Sequence, residues 1–149
     1  MARLPKPLTK DAFERTAMYN ANTLTPTENK GWEVCEKSGF EQFFGPCWTS
    51  NQPGSTIEFE AKGTAFSVLF YRVKGASGIA EACVDGGAPV RMDAWFDATW
   101  GGYTPFQLVA RDLKPGKHRV RVTLLEEKNP GSTGHEFRIH AILTARPRR

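Results

Sequence analysis

From Gly31 to the C-terminal region, apolar and polar residues alternate with a period of two in a series of short runs. A period of two sets successive side chains on opposite faces of an extended chain and is typical of strands with one buried face. In residues 119–124, for example, Val120, Val122 and Leu124 alternate with arginine and threonine. The alternation predicts β-structure, with no helix long enough to cross over a parallel sheet.

Turn-forming residues separate these runs at intervals of about 8 to 12 residues, a spacing typical of antiparallel sandwiches and barrels. The clearest hairpin is predicted at Asp85-Gly86-Gly87, because turn positions with positive φ favour Asp and Gly. We therefore expect an all-β fold, an antiparallel sandwich with two layers and about nine strands. The other turn sequences are Pro53-Gly54, Lys62-Gly63, Gly75 to Gly78, Pro115-Gly116 and Asn129-Pro130-Gly131.

The same alternation predicts which side chains share a face. In the run 90–96, one face is expected to hold Val90, Met92, Ala94 and Phe96. In the last run, one face is expected to hold Phe137, Ile139, Ala141 and Leu143, and the other Arg138, His140 and Ile142. Trp32 and Trp48 are assigned to the edge of the core.

The first thirty residues are rich in proline, threonine and asparagine. This composition predicts an irregular lead-in or linker over residues 1–30, with a short helix around Asp11 to Met18. The β-sandwich domain is expected over residues 31–145, and residues 146–149 are interpreted as a solvated basic tail.

The chain carries 20 basic and 16 acidic side chains, a formal net charge of +4. Three of the basic residues, Arg146, Arg148 and Arg149, lie in the last four positions, and without them 17 basic residues face 16 acidic ones. A nearly neutral body does not provide the broad basic surface that nucleic acid requires, so no nucleic-acid partner is predicted.

No window approaches the ~18 apolar residues that span a bilayer, and the first residues lack the apolar centre of a secretory signal. These features predict a soluble, cytoplasmic chain without a membrane partner. The three cysteines are odd in number and have no CxxC spacing, so reduced thiols are expected, with Cys83 buried as a small hydrophobic residue. The alternative is a disulfide between Cys35 and Cys47, if the domain functions outside the cell.

The sequence contains no Gly-x-Ser-x-Gly segment and no Gly-Asp-Ser block that would supply a serine nucleophile. His118, His135 and His140 are interpreted as imidazoles at strand ends or on solvent faces with local hydrogen bonds. An enzymatic alternative uses one of them as a base, for example His135 beside Glu136. No metal and no cofactor is predicted, since the chain has no His-x-His or clustered-Asp pattern and no glycine-rich phosphate loop before a helix.

The segment 93–103 concentrates aromatic side chains and carboxylates at a predicted transition from strand to loop. Aromatic faces stack on sugar rings, carboxylates accept hydrogen bonds from hydroxyls, and a nearby arginine adds a charge-assisted hydrogen bond. The alternative is that the same aromatic residues dock on another domain or a second copy of the chain. The predicted ligand-binding residues are Trp95, Trp100, Tyr103, Asp93, Asp97, Arg72 and Arg91.

Four segments together resemble the β-sandwich (jelly-roll) accessory domain found beside SGNH/GDSL-type esterase domains. They are PGSTIEFEAKGTAF (53–66), GASGIAEACVDGG (75–87), LKPGKHRV (113–120) and EEKNPGSTGH (126–135). Residues 4–8, Leu-Pro-Lys-Pro-Leu, also resemble the junction that follows the catalytic domain in bacterial members. The resemblance covers nearly the whole chain, residues 4–144.

The resemblance implies a jelly-roll related to carbohydrate-binding modules and attached to a hydrolase that deacylates small esters or acetylated sugars. The Gly-Asp-Ser-type block and the Asp-x-x-His of that hydrolase have no counterpart in this sequence, so it implies no catalytic residue here. The expected function is a non-catalytic accessory domain, either excised from a larger hydrolase or free-standing, that contacts carbohydrate or acyl-sugar substrate. The alternative is a structural module that docks on the hydrolase domain or forms homo-oligomers.

Overall fold

The computed structural model describes Pro5 and residues 13–147, which form eleven strands and one short helix. The strands are β1 (Arg15–Tyr19), β2 (Glu28–Lys30), β3 (Glu33–Cys35), β4 (Cys47–Ser50), β5 (Thr56–Lys62), β6 (Ala65–Phe70), β7 (Ile79–Val84), β8 (Val90–Asp93), β9 (Phe106–Ala110), β10 (Lys117–Leu124) and β11 (Phe137–Arg146). The helix is α1 (Glu41–Phe44). No helix in this part of the chain is long and apolar enough to cross a membrane.

The strands form two antiparallel sheets, as the sequence predicts. Sheet A has the order β3-β4-β11-β6-β9, and β1 pairs with the C-terminal half of β11. Sheet B has the order β2-β5-β10-β7-β8. The prediction of a two-layer all-β sandwich is confirmed. Nine of the eleven strands, β3 to β11, lie after residue 31, and the two additional strands are β1 and β2, in a segment where no strand was predicted.

The core lies between the sheets, where alternate side chains of β10 meet those of sheet A. Val120, Val122 and Leu124 are fully buried, while the side chains between them are exposed or half-buried. Across the layers the Trp48 and Phe59 ring centroids are 4.6 Å apart. Burial of each large apolar side chain contributes about 2 to 3 kcal/mol. Trp32 and Trp48, which were assigned to the edge of the core, are both buried in it.

In β11 the predicted alternation fails halfway. The register against β6 shifts between Ile139 and Ala141, which is the signature of a β-bulge. An extra residue reverses the faces of everything that follows it. Ile142 therefore joins the core with Ile139, whereas Leu143, which was expected inside, is half-buried on the outer face.

The interpretation of residues 1–30 as an irregular lead-in is wrong for its described part. Residues 15–19 are β1, paired with β11 from Arg15↔Arg146 to Tyr19↔Ile142, and β2 pairs with β5. Hydrogen bonding to the otherwise open edge of β11 outweighs the weak local helix preference that suggested a helix around Asp11 to Met18. Residues 11 and 12 lie outside the described residues, as do the junction-like segment 4–8 apart from Pro5, and Arg148 and Arg149 of the basic tail.

The cysteines are all free, but the buried one is not the one predicted. Cys83 is only half-buried, because it sits opposite Arg121 on the solvent face of sheet B. Cys47 is buried in β4, directly opposite Cys35 of β3. Burial, and secondarily the neighbouring Cys35, raises the pKa of the Cys47 thiol to about 12.

Candidate functional site

The loop between β8 and β9 carries three aromatic side chains in mutual contact, Phe96, Trp100 and Tyr103, which we call the aromatic cluster. The Phe96 ring lies 5.5 Å from Trp100 and 5.0 Å from Tyr103, nearly perpendicular to both. The Trp100 and Tyr103 rings are 6.2 Å apart and inclined by 32°. Trp100 is 69% exposed, so an indole face is presented to solvent on a base of two other rings.

Arg72 fixes this loop to the end of β6. Its backbone exchanges two hydrogen bonds with Tyr103, of 2.8 and 3.0 Å. Its guanidinium donates to the Tyr103 hydroxyl and to the Trp95 carbonyl, each at 3.1 Å, and lies 5.7 Å from the centre of the Phe96 ring. The side chain was predicted to contact ligand, whereas these contacts give it a role in holding the aromatic cluster together.

Gly102 allows the loop to approach the strand. A Cβ atom at this position would lie 2.3 Å from the Tyr71 ring and 2.7 Å from the Arg72 carbonyl oxygen, closer than real atoms pack. At the edge of the cluster, Asp97 forms an ion pair of 2.8 Å with Lys74. Both partners are well exposed to solvent, so the carboxylate is accessible at little electrostatic cost.

Arg72 and Asp97 flank the aromatic cluster, whereas the side chains of three other predicted residues make their contacts elsewhere. Asp93 accepts hydrogen bonds from the Trp95 backbone N–H (2.9 Å) and from the Asn129 side chain (2.8 Å), which ties β8 to the loop at residues 129–131. The Trp95 ring packs on Gly131, where a Cβ atom would lie 2.4 Å from the indole. Arg91 pairs instead with Glu127, at 2.5 Å.

Phe96 is the member of the aromatic cluster that was not predicted as a site residue from the sequence. Its spacing from Met92 and Ala94 predicted a continuation of the buried face of a strand. In the structure β8 ends at Asp93, and Phe96 belongs to the following loop. The tryptophan and glycines at residues 100–102 were the available signal for a loop in this segment.

His118 and His135 have the local hydrogen bonds expected for them. His118 contacts the Asp85 carboxylate at 2.5 Å and the Lys114 carbonyl at 2.7 Å, and His135 contacts the Glu126 carbonyl at 2.9 Å. Partial burial opposes the charge on His118, but the hydrogen bonds to Asp85 and Lys114 outweigh it and the pKa of His118 is raised. Both nitrogens of this ring are occupied, which leaves none to accept a proton from a nucleophile.

His140 was predicted on a solvent face, and this is wrong: its exposed fraction is 0%. It lies at the bulge of β11, where α1 and its flanks cover the outer face of sheet A with aromatic rings. The ring centroids of Phe40, Phe44 and Tyr71 lie 5.7 to 6.1 Å away. Neither nitrogen has a hydrogen-bond partner among the described residues. Burial lowers the pKa of His140 to about 4, with a smaller contribution from Arg138.

Comparison with solved structures identifies domains of the same architecture. Over 97% of its length the chain matches part of a two-domain esterase active on acetylated mannans, with a TM-score of 0.77 and 24% identity. A structure of such an esterase co-crystallised with mannopentaose gives a TM-score of 0.75 and 24% identity over 99% of the chain. These matches span 39% and 41% of the esterase chains, so the present chain corresponds to about two-fifths of their length.

A third match is a complete small domain, the CBM36-1 domain of a multidomain xylanase from the hindgut metagenome of Trinervitermes trinervoides. It has a TM-score of 0.52 and 6% identity, and the match covers 87% of this chain and 95% of that one. The chain shares its fold with these domains. The resemblance to a β-sandwich accessory domain is thus confirmed at the level of the fold. No protein-family model matches the sequence, and no curated protein matches it.

Two concave surfaces complete the candidate sites, and neither was predicted from the sequence. An apolar groove of about 530 Å³ runs over the outer face of sheet A, lined by Phe13, Met18, Phe106 and Leu143. A polar cleft of about 620 Å³ lies at the other end of the same sheet, over β3, β4 and the start of β11. Both result from contacts between strands distant in sequence, which local patterns do not report.

Proposed function

We propose that this domain is a non-catalytic accessory domain of an SGNH/GDSL-type hydrolase and that its aromatic cluster contacts carbohydrate or acyl-sugar substrate. The observation that carries this proposal is the Trp100 indole, 69% exposed yet held by Phe96 and Tyr103. A rigid aromatic face costs little conformational entropy when it binds, so more of the stacking energy appears as affinity.

The surroundings of the cluster supply the polar part of a saccharide site. The Asp97 carboxylate lies beside it, and its exposed oxygens accept hydrogen bonds from sugar hydroxyls. The esterase active on acetylated mannans and the xylanase CBM36-1 domain share this fold, which supports carbohydrate as the class of ligand. The segments that resemble SGNH/GDSL accessory domains support a hydrolase as the parent protein.

The test is isothermal titration of the domain with mannopentaose and with acetylated mannan oligosaccharides. Trp100→Ala should weaken binding at least tenfold, a loss of about 1.4 kcal/mol. The melting temperature should fall by no more than a few degrees, since the indole is mostly in solvent. Phe43→Ala is the matched control, because Phe43 is another exposed aromatic residue, 66% exposed on α1. An affinity that Trp100→Ala leaves unchanged would refute this assignment.

A second candidate function is docking on the hydrolase domain itself, and the apolar groove favours it. Phe13, Met18 and Phe106 are 51%, 46% and 66% exposed around it, and clustered apolar side chains of this size typically mark protein interfaces. The occupant we assign is a hydrolase domain, since the two-domain esterase with the same fold has about three-fifths of its chain outside the match.

Light scattering of the domain, alone and mixed with an SGNH hydrolase domain, tests this candidate. A complex that Phe106→Glu abolishes and Val34→Glu preserves would support it, because Val34 is an exposed apolar residue on β3, outside the groove. A dimer sensitive to Phe106→Glu would assign the groove to self-association instead. A monomer that binds no hydrolase domain would argue against docking altogether.

A further inference from the structure

The polar cleft is floored by a row of side chains that crosses three strands of sheet A. Glu33 of β3 pairs in register with Thr49 of β4, which pairs with Arg138 of β11. All three line the cleft. Because neighbouring strands lie about 4.8 Å apart, the row extends over about 10 Å. The cleft volume of about 620 Å³ falls within the range typical of small-ligand sites.

One side of the cleft is held rigidly. The guanidinium of Arg138 donates from Nε to one oxygen of Glu136 at 2.6 Å and from Nη1 to the Ser38 carbonyl at 3.0 Å. Its Nη2 lies 2.6 Å from the same Glu136 oxygen and completes the ion pair. The guanidinium also lies 5.2 Å from the centre of the Tyr71 ring. Trp32, which also lines the cleft, is only 5% exposed and packs edge-on against Phe137. A ligand would meet walls that need no reorganisation.

The opposite side carries hydrogen-bonding groups that have no partner of their own. The Glu33 carboxylate and the side-chain amides of Asn51 and Gln52 are exposed, and none has a hydrogen bond or ion pair within residues 13–147. A carboxylate and two amides offer both acceptors and donors, the combination that vicinal hydroxyl groups require. These groups stand over the rigid walls without having to break an existing contact.

The charge of the cleft restricts the ligand. Glu33 and Glu136 contribute two negative charges, and Arg138, already paired with Glu136, contributes one positive charge. The net negative charge disfavours uronates and other anionic sugars. Neutral sugar residues have hydroxyl groups that match the unpaired side chains and no charge that opposes them.

The polar cleft adjoins a smaller hollow that leads towards the residues flanking the aromatic cluster. This hollow, of about 290 Å³, shares Glu136 and Arg138 with the cleft and extends to Lys74. Lys74 in turn forms the ion pair with Asp97 beside Phe96. Shared lining residues and this ion pair thus connect the cleft, through the hollow, to the edge of the aromatic cluster, a course that we call the track.

We propose that the polar cleft is a second binding site for a neutral oligosaccharide, with Glu33, Asn51 and Gln52 as its hydrogen-bonding residues, on the same track as the aromatic cluster. This inference rests on the proposed function for the class of ligand, but not on Trp100, because different residues carry it. A chain of several sugars would lie along the track, with stacking at one end and hydroxyl recognition at the other.

The experiment titrates the ¹⁵N-labelled domain with mannopentaose, xylopentaose and, as the anionic probe, pentagalacturonate. Saturable shifts of the Asn51 and Gln52 side-chain amide signals are expected with a neutral probe. Glu33→Gln should weaken binding about tenfold, as expected for loss of a hydrogen bond to a charged group, and Asn51→Ala about threefold. The matched control is Glu36→Gln, an exposed carboxylate three positions away that does not line the cleft.

The outcomes separate the two proposals. Shifts and affinity that respond to Glu33→Gln but not to Trp100→Ala would support the cleft and refute the aromatic cluster as a binding site. Affinity that responds to Trp100→Ala but not to Glu33→Gln or Asn51→Ala would overturn the cleft alone. Tighter binding of pentagalacturonate than of the neutral probes would also overturn it, and binding of no neutral probe would refute both sites.

Discussion

The buried His140 imidazole should make the stability of this domain depend on pH between about 4 and 6.5. Burial lowers its pKa to about 4, Arg138 adds to this effect and Glu41 opposes it. In the unfolded chain the imidazole regains its ordinary pKa of about 6.5. Because the unfolded chain then binds a proton that the folded chain rejects, acidification favours unfolding. The stability is fully present above pH 6.5 and decreases as the pH falls towards 4.

The size of the effect follows from the two pKa values. Each tenfold difference in proton affinity corresponds to about 1.4 kcal/mol. Protonation of His140 should therefore cost about 2 kcal/mol of the free energy of unfolding at pH 5, and about 3 kcal/mol below pH 4. This is a large share of the free energy of unfolding of a typical domain, about 5 to 15 kcal/mol.

The perturbation is His140→Leu, which replaces the imidazole with an apolar side chain among Phe40, Phe44 and Tyr71. Urea unfolding followed by tryptophan fluorescence at pH 7.5 and pH 5.0 gives the free energy of unfolding of each protein. The wild type should lose about 2 kcal/mol more than the variant between the two pH values. The variant should also be more stable at pH 7.5, because it removes two buried nitrogens that have no hydrogen-bond partner.

A second variant checks the sign of the effect. The pKa of His118 is raised, so its contribution is fully present below pH 6.5 and is lost as the pH rises through its folded-state pKa. His118→Gln should therefore lose more stability at pH 5.0 than at pH 7.5, the opposite of His140→Leu. Equal pH dependence in wild type and His140→Leu would refute the reasoning, as would a titration of the His140 ring signals near pH 6.5.

Two further expectations follow from close contacts. Gly102→Ala should destabilise the domain by about 1 to 3 kcal/mol, because the added Cβ would overlap the Tyr71 ring. It should also weaken mannopentaose binding, as Trp100→Ala does. An unchanged melting temperature would contradict this expectation. Oxidation at alkaline pH should join Cys35 to Cys47, since directly opposed residues of antiparallel strands have Cα separations that a disulfide spans. At neutral pH the reaction should be slow, because burial keeps the Cys47 thiol protonated. The loop that the disulfide closes corresponds to about 3 kcal/mol of stabilisation. Peptide mapping by mass spectrometry checks the pairing, and a bridge to Cys83 would contradict it.

The sequence predicts strands well where one face is buried and the other solvated. In β10 the arginines between Val120, Val122 and Leu124 mark the solvent face, and the structure agrees with each assignment. The prediction fails where a second layer covers the outer face. His140, expected on a solvent face, is covered by Phe44 of α1. All of β6 is buried as well. The nearly continuous apolar run of β6 is consistent with burial on both faces, whereas nothing in the local pattern of β11 indicates that His140 is covered.

The candidate site was predicted in part, and the failures have a common physical origin. Trp100 and Tyr103 come together because short loops and glycines keep them near each other. Trp95 and Arg91 have neighbours in the same segment but contact Gly131 and Glu127, residues far along the chain. Side-chain partners of this kind are fixed by strand register between β8 and its surroundings, which composition and spacing do not encode.

The pairing of β1 with β11 fixes the direction from which neighbouring chain segments approach. Arg15 lies opposite Arg146, so the first strand begins where the last one ends. Any segment attached before β1 or after β11 thus starts from one corner of sheet A, beside the apolar groove to which Thr16 and Ala145 contribute. An appended domain would be tethered next to the groove from either end, at a high effective concentration that lets even a weak contact surface hold it.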